Sequence, residues 1–203
     1  MTGPVTLYGI PQSRTARCLW MARELGVPHE VVPVHYRVAR EAPELLRVNP
    51  NGRIPAMEDA GFALFESMAI NLYLARKYGA GSALVPRSPE EEALVDQWSF
   101  WAVAELEKPL LTLLVNAVGI RAVDEETLAK ARSDLGRPLR VLDRHLSDRP
   151  WLLADRFTVA DLNVAAVLDW QRPTRLDLSP HPHVGDWLSR CLGRPAFQGL
   201  SFG

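Results

Sequence analysis

A proline-rich turn in the first third of the chain constrains the fold more than any other feature. Residues 49–57 read NPNGRIPAM, and two prolines with one glycine predict a tight turn before a short apolar strand. Proline cannot donate to a sheet, so Pro55 is expected at the start or edge of that strand. The Ile54–Pro55 bond can also adopt the cis form at low cost, and we expect it to be cis. A cis bond would turn the Ile54 N–H and C=O outward, where an extended peptide can pair with them.

A helix is predicted directly after the next strand. Residues 63–65 (ALF) form a short apolar run, and a helical pattern begins at Glu66 and Ser67. Ser67 would then present a hydroxyl and a backbone N–H at a helix N-terminus, where a carboxylate is favoured. Either feature alone is typical of an ordinary hairpin or helix cap. A backbone edge beside an anion site, however, suits a small acidic peptide.

The order of predicted elements divides the chain into two domains of different type. A strand at 5–8, a helix closed by Gly26 and a strand at 30–34 predict a parallel βαβ unit, which an antiparallel hairpin and a helix follow. We therefore expect a mixed α/β domain over residues 1–80. Residues 88–203 contain no convincing strand and are expected to form an all-α domain. Its helical patterns cover residues 89–118, 125–146, 159–170 and 184–192.

Composition excludes several classes of function. The 203 residues include 23 basic and 24 acidic side chains, so no overall field favours nucleic acid or an anionic membrane. No apolar run approaches the length of a membrane span, and the first residues lack a secretory pattern. Cys18 and Cys191 lie in apolar helical patterns and are interpreted as buried thiols of a cytoplasmic protein. No spacing of ligating residues predicts a metal site.

Four segments in order resemble the soluble glutathione transferase superfamily. They are residues 8–17 (YGIPQSRTAR), 49–55 (NPNGRIP), 66–70 (ESMAI) and 157–162 (FTVADL). The resemblance covers nearly the whole chain and is closest to serine-type members, the bacterial and plant phi-like ones. It implies a thioredoxin-like N-terminal domain and an all-helical C-terminal domain that contributes a hydrophobic co-substrate site. It also implies a homodimer.

The resemblance implies a role for a hydroxyl in the turn after the first strand. Ser13 falls at the position of the serine that hydrogen-bonds the thiolate of glutathione, the co-substrate. From the residue type alone, a cap of the following helix is the favoured role of Ser13, and the two roles are compatible. Thr15 and Tyr8 remain alternative hydroxyl donors. Cys18 lies more than a turn into the helix and is expected to be core, which argues against the cysteine-dependent branches.

The resemblance also implies a contact residue for each of the three parts of glutathione, the cysteinyl, γ-glutamyl and glycyl parts. Ile54, ahead of Pro55, would pair its backbone with the cysteinyl part, and Ser67 would take the γ-glutamyl carboxylate at the helix N-terminus. Glu66 would accept from the γ-glutamyl amine. Arg40 and Arg53 are the cationic candidates for the glycyl end.

One motif in the C-terminal half is expected to be structural. Thr158 can cap a helix, and Asp161 is placed to reach back to the Thr158 N–H, which together form a capping box. We assign this motif no chemistry.

The sequence thus favours an enzyme in which Ser13 activates the glutathione thiol for attack on a small hydrophobic electrophile or a peroxide. The alternative is a non-catalytic protein that keeps the fold and works as a ligand carrier or scaffold, because a fold does not fix an activity. Isomerisation of a small acid, as in the zeta branch, is less favoured. That branch carries a serine- and cysteine-rich motif where residues 11–14 here read PQSR.

Overall fold

A four-stranded sheet organises the first part of the chain. A computed structural model of the protein describes residues 3–153 and 155–200. The strands are β1 (Val5–Tyr8), β2 (His29–Val32), β3 (Ala56–Asp59) and β4 (Phe62–Phe65), in the spatial order β2-β1-β3-β4. β1 pairs with β2 in parallel, whereas β3 is antiparallel to both β1 and β4. The predicted βαβ unit and hairpin are therefore confirmed.

Three helices accompany the sheet: α1 (Thr15–Glu24), α2 (Pro43–Val48) and α3 (Ser67–Tyr78). α1 packs against α3 and buries Cys18, Met21 and Ala22, which have the i, i+3, i+4 spacing of a single helix face. The helix ends before Gly26, whose φ of +63° lies in the region that favours glycine.

The second part of the chain is helical. No strand lies among the described residues after Val85, as predicted, and none of the described helices is long and apolar enough to cross a membrane. The helices are α4 (Pro89–Trp101), a π-helical segment (Ala102–Glu107), α5 (Lys108–Ala117), α6 (Glu125–Leu146), α7 (Val159–Leu168), α8 (Gln171–Thr174) and α9 (Pro182–Leu192).

The chain divides into two units. One contains the chain up to Val85 together with a 3₁₀ helix, Pro195–Phe197, and the other runs from Pro86 to Arg194. The 3₁₀ helix belongs with the first unit because the Phe197 ring packs 4.7 Å from the Trp20 ring of α1, measured between centroids. Both side chains are buried.

The long helix predicted over residues 89–118 is interrupted. Its start agrees with the sequence, because the Ser88 hydroxyl accepts a hydrogen bond from the Glu91 N–H at 3.3 Å. The π-helical segment ends two residues before Pro109, which has no N–H to continue the α-helical pattern. Proline therefore gives a physical reason for a change of helix type at this point.

The capping motif of α7 is structural, as expected. The Asp161 carboxylate accepts hydrogen bonds from the Thr158 N–H at 2.9 Å, the Leu152 N–H at 2.8 Å and the Trp187 indole N–H at 2.9 Å. Asp161 is fully buried, and every described residue of α7 is buried as well. Asp161 thus connects the start of α7 both to α9, through Trp187, and to the segment that precedes α7, through Leu152.

A second buried carboxylate fixes the orientation of α3. Asp59, the last residue of β3, accepts hydrogen bonds on Oδ2 from Lys77 Nζ at 2.7 Å, the Tyr78 hydroxyl at 2.8 Å and the Tyr73 hydroxyl at 2.9 Å. Burial by itself would raise the pKa of Asp59, but the hydrogen bonds from its three partners outweigh burial and lower the pKa. The C-terminal half of α3 is thereby tied to the sheet.

The Asp59 cluster predicts an acid-sensitive contribution to stability. Because the folded-state pKa of Asp59 is lowered, its contribution is present above the unfolded pKa of about 3.9 and is lost as the pH falls through the folded value. Asp59→Asn should reduce the free energy of unfolding at pH 7 by about 1.5–3 kcal/mol. Urea denaturation at several pH values should show this difference shrinking below about pH 4.

Asp134→Asn is the matched control. Asp134 also pairs with a lysine, Lys130, but the side chains are 49% and 74% exposed, so the substitution should change the free energy of unfolding little. An Asp59→Asn defect that persists unchanged at low pH would contradict the proposed ionic origin.

Candidate active site

The turn between β1 and α1 brings three parts of the first unit together at Gly9. Gly9 has a φ of +139°, in the range that favours glycine. A Cβ at this position would lie 2.1 Å from Thr15 Oγ1 and 3.1 Å from the Ile54 Cβ. The missing side chain therefore allows the start of α1 and the residue before Pro55 to approach the same stretch of backbone.

Ser13 lies in this turn and is partly buried. Its Oγ lies 2.6 Å from the Ile10 carbonyl oxygen and 2.9 Å from Thr15 Oγ1, and it accepts from the Thr15 N–H at 3.1 Å. The last contact spans two residues within the turn. The N-cap residue of α1 is Arg14, so Ser13 contacts the first helical residue without being the helix cap that its residue type suggested. Thr15 itself is fully buried, whereas Ser13 remains partly exposed to solvent.

The loop before β3 is held by a buried asparagine that sequence reasoning missed. Asn49 donates from Nδ2 to the Arg53 carbonyl oxygen at 2.6 Å, and its Oδ1 accepts from the Asn51 N–H at 3.1 Å. Gly52 has a φ of +58°, and a Cβ there would lie 2.9 Å from the Arg40 Cα. The loop thus packs directly on the backbone of Arg40. The side chains of Arg40 and Arg53 are both exposed.

The Ile54–Pro55 bond is cis, as the sequence predicted. Pro55 is buried and precedes β3, so it occupies the strand-start position expected of a proline. Within residues 3–153 and 155–200, neither the N–H nor the C=O of Ile54 forms a backbone hydrogen bond. These groups match the donor and acceptor that an extended peptide requires.

The start of α3 has the properties of an anion site. Ser67 is the first residue of α3, and its hydroxyl accepts a hydrogen bond from Arg17 Nη1 at 3.3 Å. Both side chains are buried, so the Arg17 guanidinium is a cation directly beside the hydroxyl. The unpaired N–H groups of a helix N-terminus add positive potential at the same place.

Glu66 precedes α3 in an unusual backbone conformation. Its φ is +74° and its ψ is +114°, and its side chain is exposed. A non-glycine residue at positive φ is strained, and such strain is found preferentially at functional sites. The conformation was not predictable from the residue type, because glutamate has no special tolerance of positive φ.

Tyr8, one of the alternative hydroxyl donors, is engaged elsewhere, and Cys18 is a core residue, as expected. The Tyr8 hydroxyl contacts Glu58 at 3.4 Å and accepts from Arg47 Nη2 at 3.0 Å. Burial, and next the charge of Glu58, raise the pKa of Tyr8. Cys18 is fully buried, and burial raises the pKa of its thiol, which argues against a reactive cysteine.

Two family models match the chain. They are those of the glutathione S-transferase N-terminal domain, over residues 3–76, and C-terminal domain, over residues 104–195. Glutathione S-transferase 3 of Zea mays is 36% identical over 208 positions, covering 96% of this chain and 92% of that protein. Elongation factor 1-gamma of Rattus norvegicus is 31% identical; the match covers 96% of this chain and 46% of that protein.

A solved structure shows the same fold. It is the theta class glutathione S-transferase from the citrus canker pathogen Xanthomonas axonopodis pv. citri, determined with glutathione bound. It superposes with a TM-score of 0.90 at 28% identity, covering 100% of this chain and 99% of that one. Fold, motif order and family models agree, and the chain belongs to the glutathione S-transferase superfamily.

Proposed function

We propose that the protein binds glutathione in its first unit and uses the Ser13 hydroxyl to stabilise the glutathione thiolate. The observation that carries this proposal is the placement of Ser13. It is a partly buried hydroxyl in the turn whose Gly9 backbone approaches Ile54. A glutathione molecule with its thiolate beside Ser13 would therefore have its peptide backbone close enough to pair with the backbone of Ile54. Its attack on a hydrophobic electrophile or a peroxide is the proposed reaction.

The energetic requirement is moderate. A free thiol has a pKa of about 8.5, so little of it is ionised at neutral pH. Lowering that pKa by roughly 2 units needs about 2.7 kcal/mol of preferential interaction with the thiolate. A charge-assisted hydrogen bond from Ser13 supplies interaction of this order.

Recognition of the two ends of glutathione uses charge. At the start of α3, Ser67 and the buried Arg17 would hold the γ-glutamyl carboxylate, and Glu66 would accept from the γ-glutamyl amine. Arg40 and Arg53 are exposed, and the Arg40 backbone packs against Gly52, the residue before Arg53, so their guanidinium groups would hold the glycyl carboxylate. Ile54, ahead of Pro55, would pair its backbone with the cysteinyl part.

The proposed biological setting follows from this chemistry. A thiol nucleophile that accepts hydrophobic electrophiles suits detoxification. A cytoplasmic location would supply both the reduced thiol and a reducing environment for the two buried cysteines. The second substrate would contact apolar side chains of the all-α domain.

A second candidate function is a non-catalytic scaffold or ligand carrier. The observation that favours it is the 31% identity to elongation factor 1-gamma, a relative that is not named as a transferase. The two functions separate at Ser13, because a scaffold needs no thiolate donor. Retention on a glutathione-affinity resin together with turnover of a generic aryl halide would support the enzyme. Retention without turnover would support the carrier.

Binding is tested at Ser67. Ser67→Ala removes a buried hydroxyl beside Arg17 and should weaken glutathione binding by about 1–3 kcal/mol, measured by calorimetry. Ser133→Ala, at an exposed position of α6, is the control and should leave affinity unchanged. Unchanged affinity in Ser67→Ala would move the γ-glutamyl site elsewhere.

Catalysis is tested at Ser13. Ser13→Ala should raise the pKa of bound glutathione, and turnover at neutral pH should fall about 10- to 100-fold, which corresponds to about 1.4–2.7 kcal/mol. Affinity should change less, because the carboxylate contacts remain. Much of the defect should recover at high pH, where the thiol ionises unaided. If Ser13→Ala leaves the pH–rate profile unmoved and Thr15→Ala shifts it, the donor is Thr15.

The proposed assembly is a homodimer. The second unit exposes Phe100 and Val103, which lie three residues apart on neighbouring turns and are 69% and 44% exposed. Adjacent exposed apolar side chains of this size favour burial by a partner. Light scattering at micromolar concentration should return about twice the chain mass of 22.7 kDa. A mass near 22.7 kDa across that range would refute the dimer.

A further inference from the structure

We propose that Thr15 is a positioning residue that makes Ser13 a donor to sulfur and prevents it from accepting a hydrogen bond from the thiol. This inference rests on the proposed function, because it concerns the thiolate that Ser13 would stabilise. It gives a role to the buried Thr15 hydroxyl, which lies 2.9 Å from the Ser13 hydroxyl. The test below separates its failure from the failure of the proposed function.

The argument begins with the single proton of the Ser13 hydroxyl. Ser13 Oγ lies 2.6 Å from the Ile10 carbonyl oxygen and 2.9 Å from Thr15 Oγ1. A carbonyl oxygen can only accept, so the Ile10 contact requires the Ser13 proton. The contact with Thr15 then requires the Thr15 proton, and Thr15 donates to Ser13.

The surroundings of Thr15 support the same assignment. Thr15 is fully buried, and among the described residues its hydroxyl has Ser13 as its hydrogen-bond partner. A buried hydroxyl proton without an acceptor is costly, so the Thr15 proton is directed at Ser13 Oγ. Gly9 leaves room for the Thr15 hydroxyl, because a Cβ at residue 9 would lie 2.1 Å from Thr15 Oγ1.

Thr15 therefore fills both acceptor sites of the Ser13 oxygen. One lone pair takes the Thr15 hydroxyl proton, and the other takes the Thr15 N–H, 3.1 Å away. The Ser13 oxygen has no remaining acceptor site for the S–H of a neutral thiol. Only its proton is available, and this proton can turn from the Ile10 carbonyl oxygen to an incoming sulfur.

This arrangement discriminates between the two protonation states of the thiol. A thiolate is a strong acceptor and pairs well with a hydroxyl that can only donate, whereas a neutral thiol loses its own donor interaction. Two donors into the same oxygen also polarise the Ser13 O–H and strengthen its donation. Both effects lower the pKa of bound glutathione. Thr15 exerts them through Ser13, without touching the substrate.

The decisive variant is Thr15→Val, which replaces the hydroxyl by a methyl group of similar volume. It should raise the pKa of bound glutathione by about half a unit to one unit. The rate constant kcat/KM at neutral pH should then fall about three- to tenfold and approach the wild-type value at high pH. The pKa is read from the ultraviolet absorbance of the bound thiolate as a function of pH. Thr15→Ser, which keeps the hydroxyl, should restore most of the wild-type pKa.

The double variant Ser13→Ala/Thr15→Val tests whether Thr15 acts through Ser13. If it does, Thr15→Val adds no further shift once Ser13 is absent, so the two effects are strongly non-additive. An equal shift in both backgrounds would overturn the proposal and show a general structural effect. A wild-type pKa in Thr15→Val would overturn it as well.

The experiment remains decisive if a variant folds poorly or if the protein has no activity. Absorbance per bound glutathione does not depend on the fraction of folded protein, and Thr15→Ala provides a second deletion of the hydroxyl if Thr15→Val does not fold. If wild-type protein neither binds glutathione nor shows thiolate absorbance, the proposed function fails. If wild-type protein shows the thiolate, Ser13→Ala loses it and Thr15→Val keeps it, the role of Thr15 alone fails.

Discussion

The close approach of backbone and side chains at Gly9 is the constraint on which the candidate site depends. Antiparallel pairing of β1 with β3, the two central strands, brings the end of β1 and the start of β3 to the same end of the sheet. At that end the Thr15 hydroxyl and Ile54 approach the space that a Cβ of residue 9 would need. Any side chain there would force the turn away from the loop, and Ser13 would move with it.

Much of the fold was predictable because hydrophobic periodicity and the positions of proline and glycine determine local secondary structure. The turn before Pro55, the helix beginning at Ser67 and the cap at Ser88 follow from residue type and spacing alone. The π-helical segment did not follow, because a proline within a long apolar pattern is compatible with several local solutions. The return of Phe197 to pack on Trp20 was also unpredictable, since it joins residues distant in sequence.

The candidate site likewise contains residues that the sequence indicated and residues that it did not. Ser13, Ile54 and Ser67 stand at positions marked by turns and helix starts, so motif order found them. Residues that support them carry no such mark. Asn49 resembles any turn asparagine until its side chain is seen to hold the Arg53 carbonyl. The positive φ of Glu66 and the burial of Arg17 beside Ser67 are set by tertiary packing and leave no trace in local sequence.

The geometry separates two energies that a glutathione site must supply. In the proposed site, affinity for the γ-glutamyl carboxylate would depend on the start of α3, where Arg17 donates to Ser67. Thiolate stabilisation would depend on the turn after β1, where the contacts of Ser13 are with Ile10 and Thr15. No residue is shared between these two sets of contacts. Under the proposed function, a change in the turn would therefore remove thiol activation while peptide binding persisted. Such a change would be a physical route by which the same fold could serve transferases and also relatives that are not named as transferases.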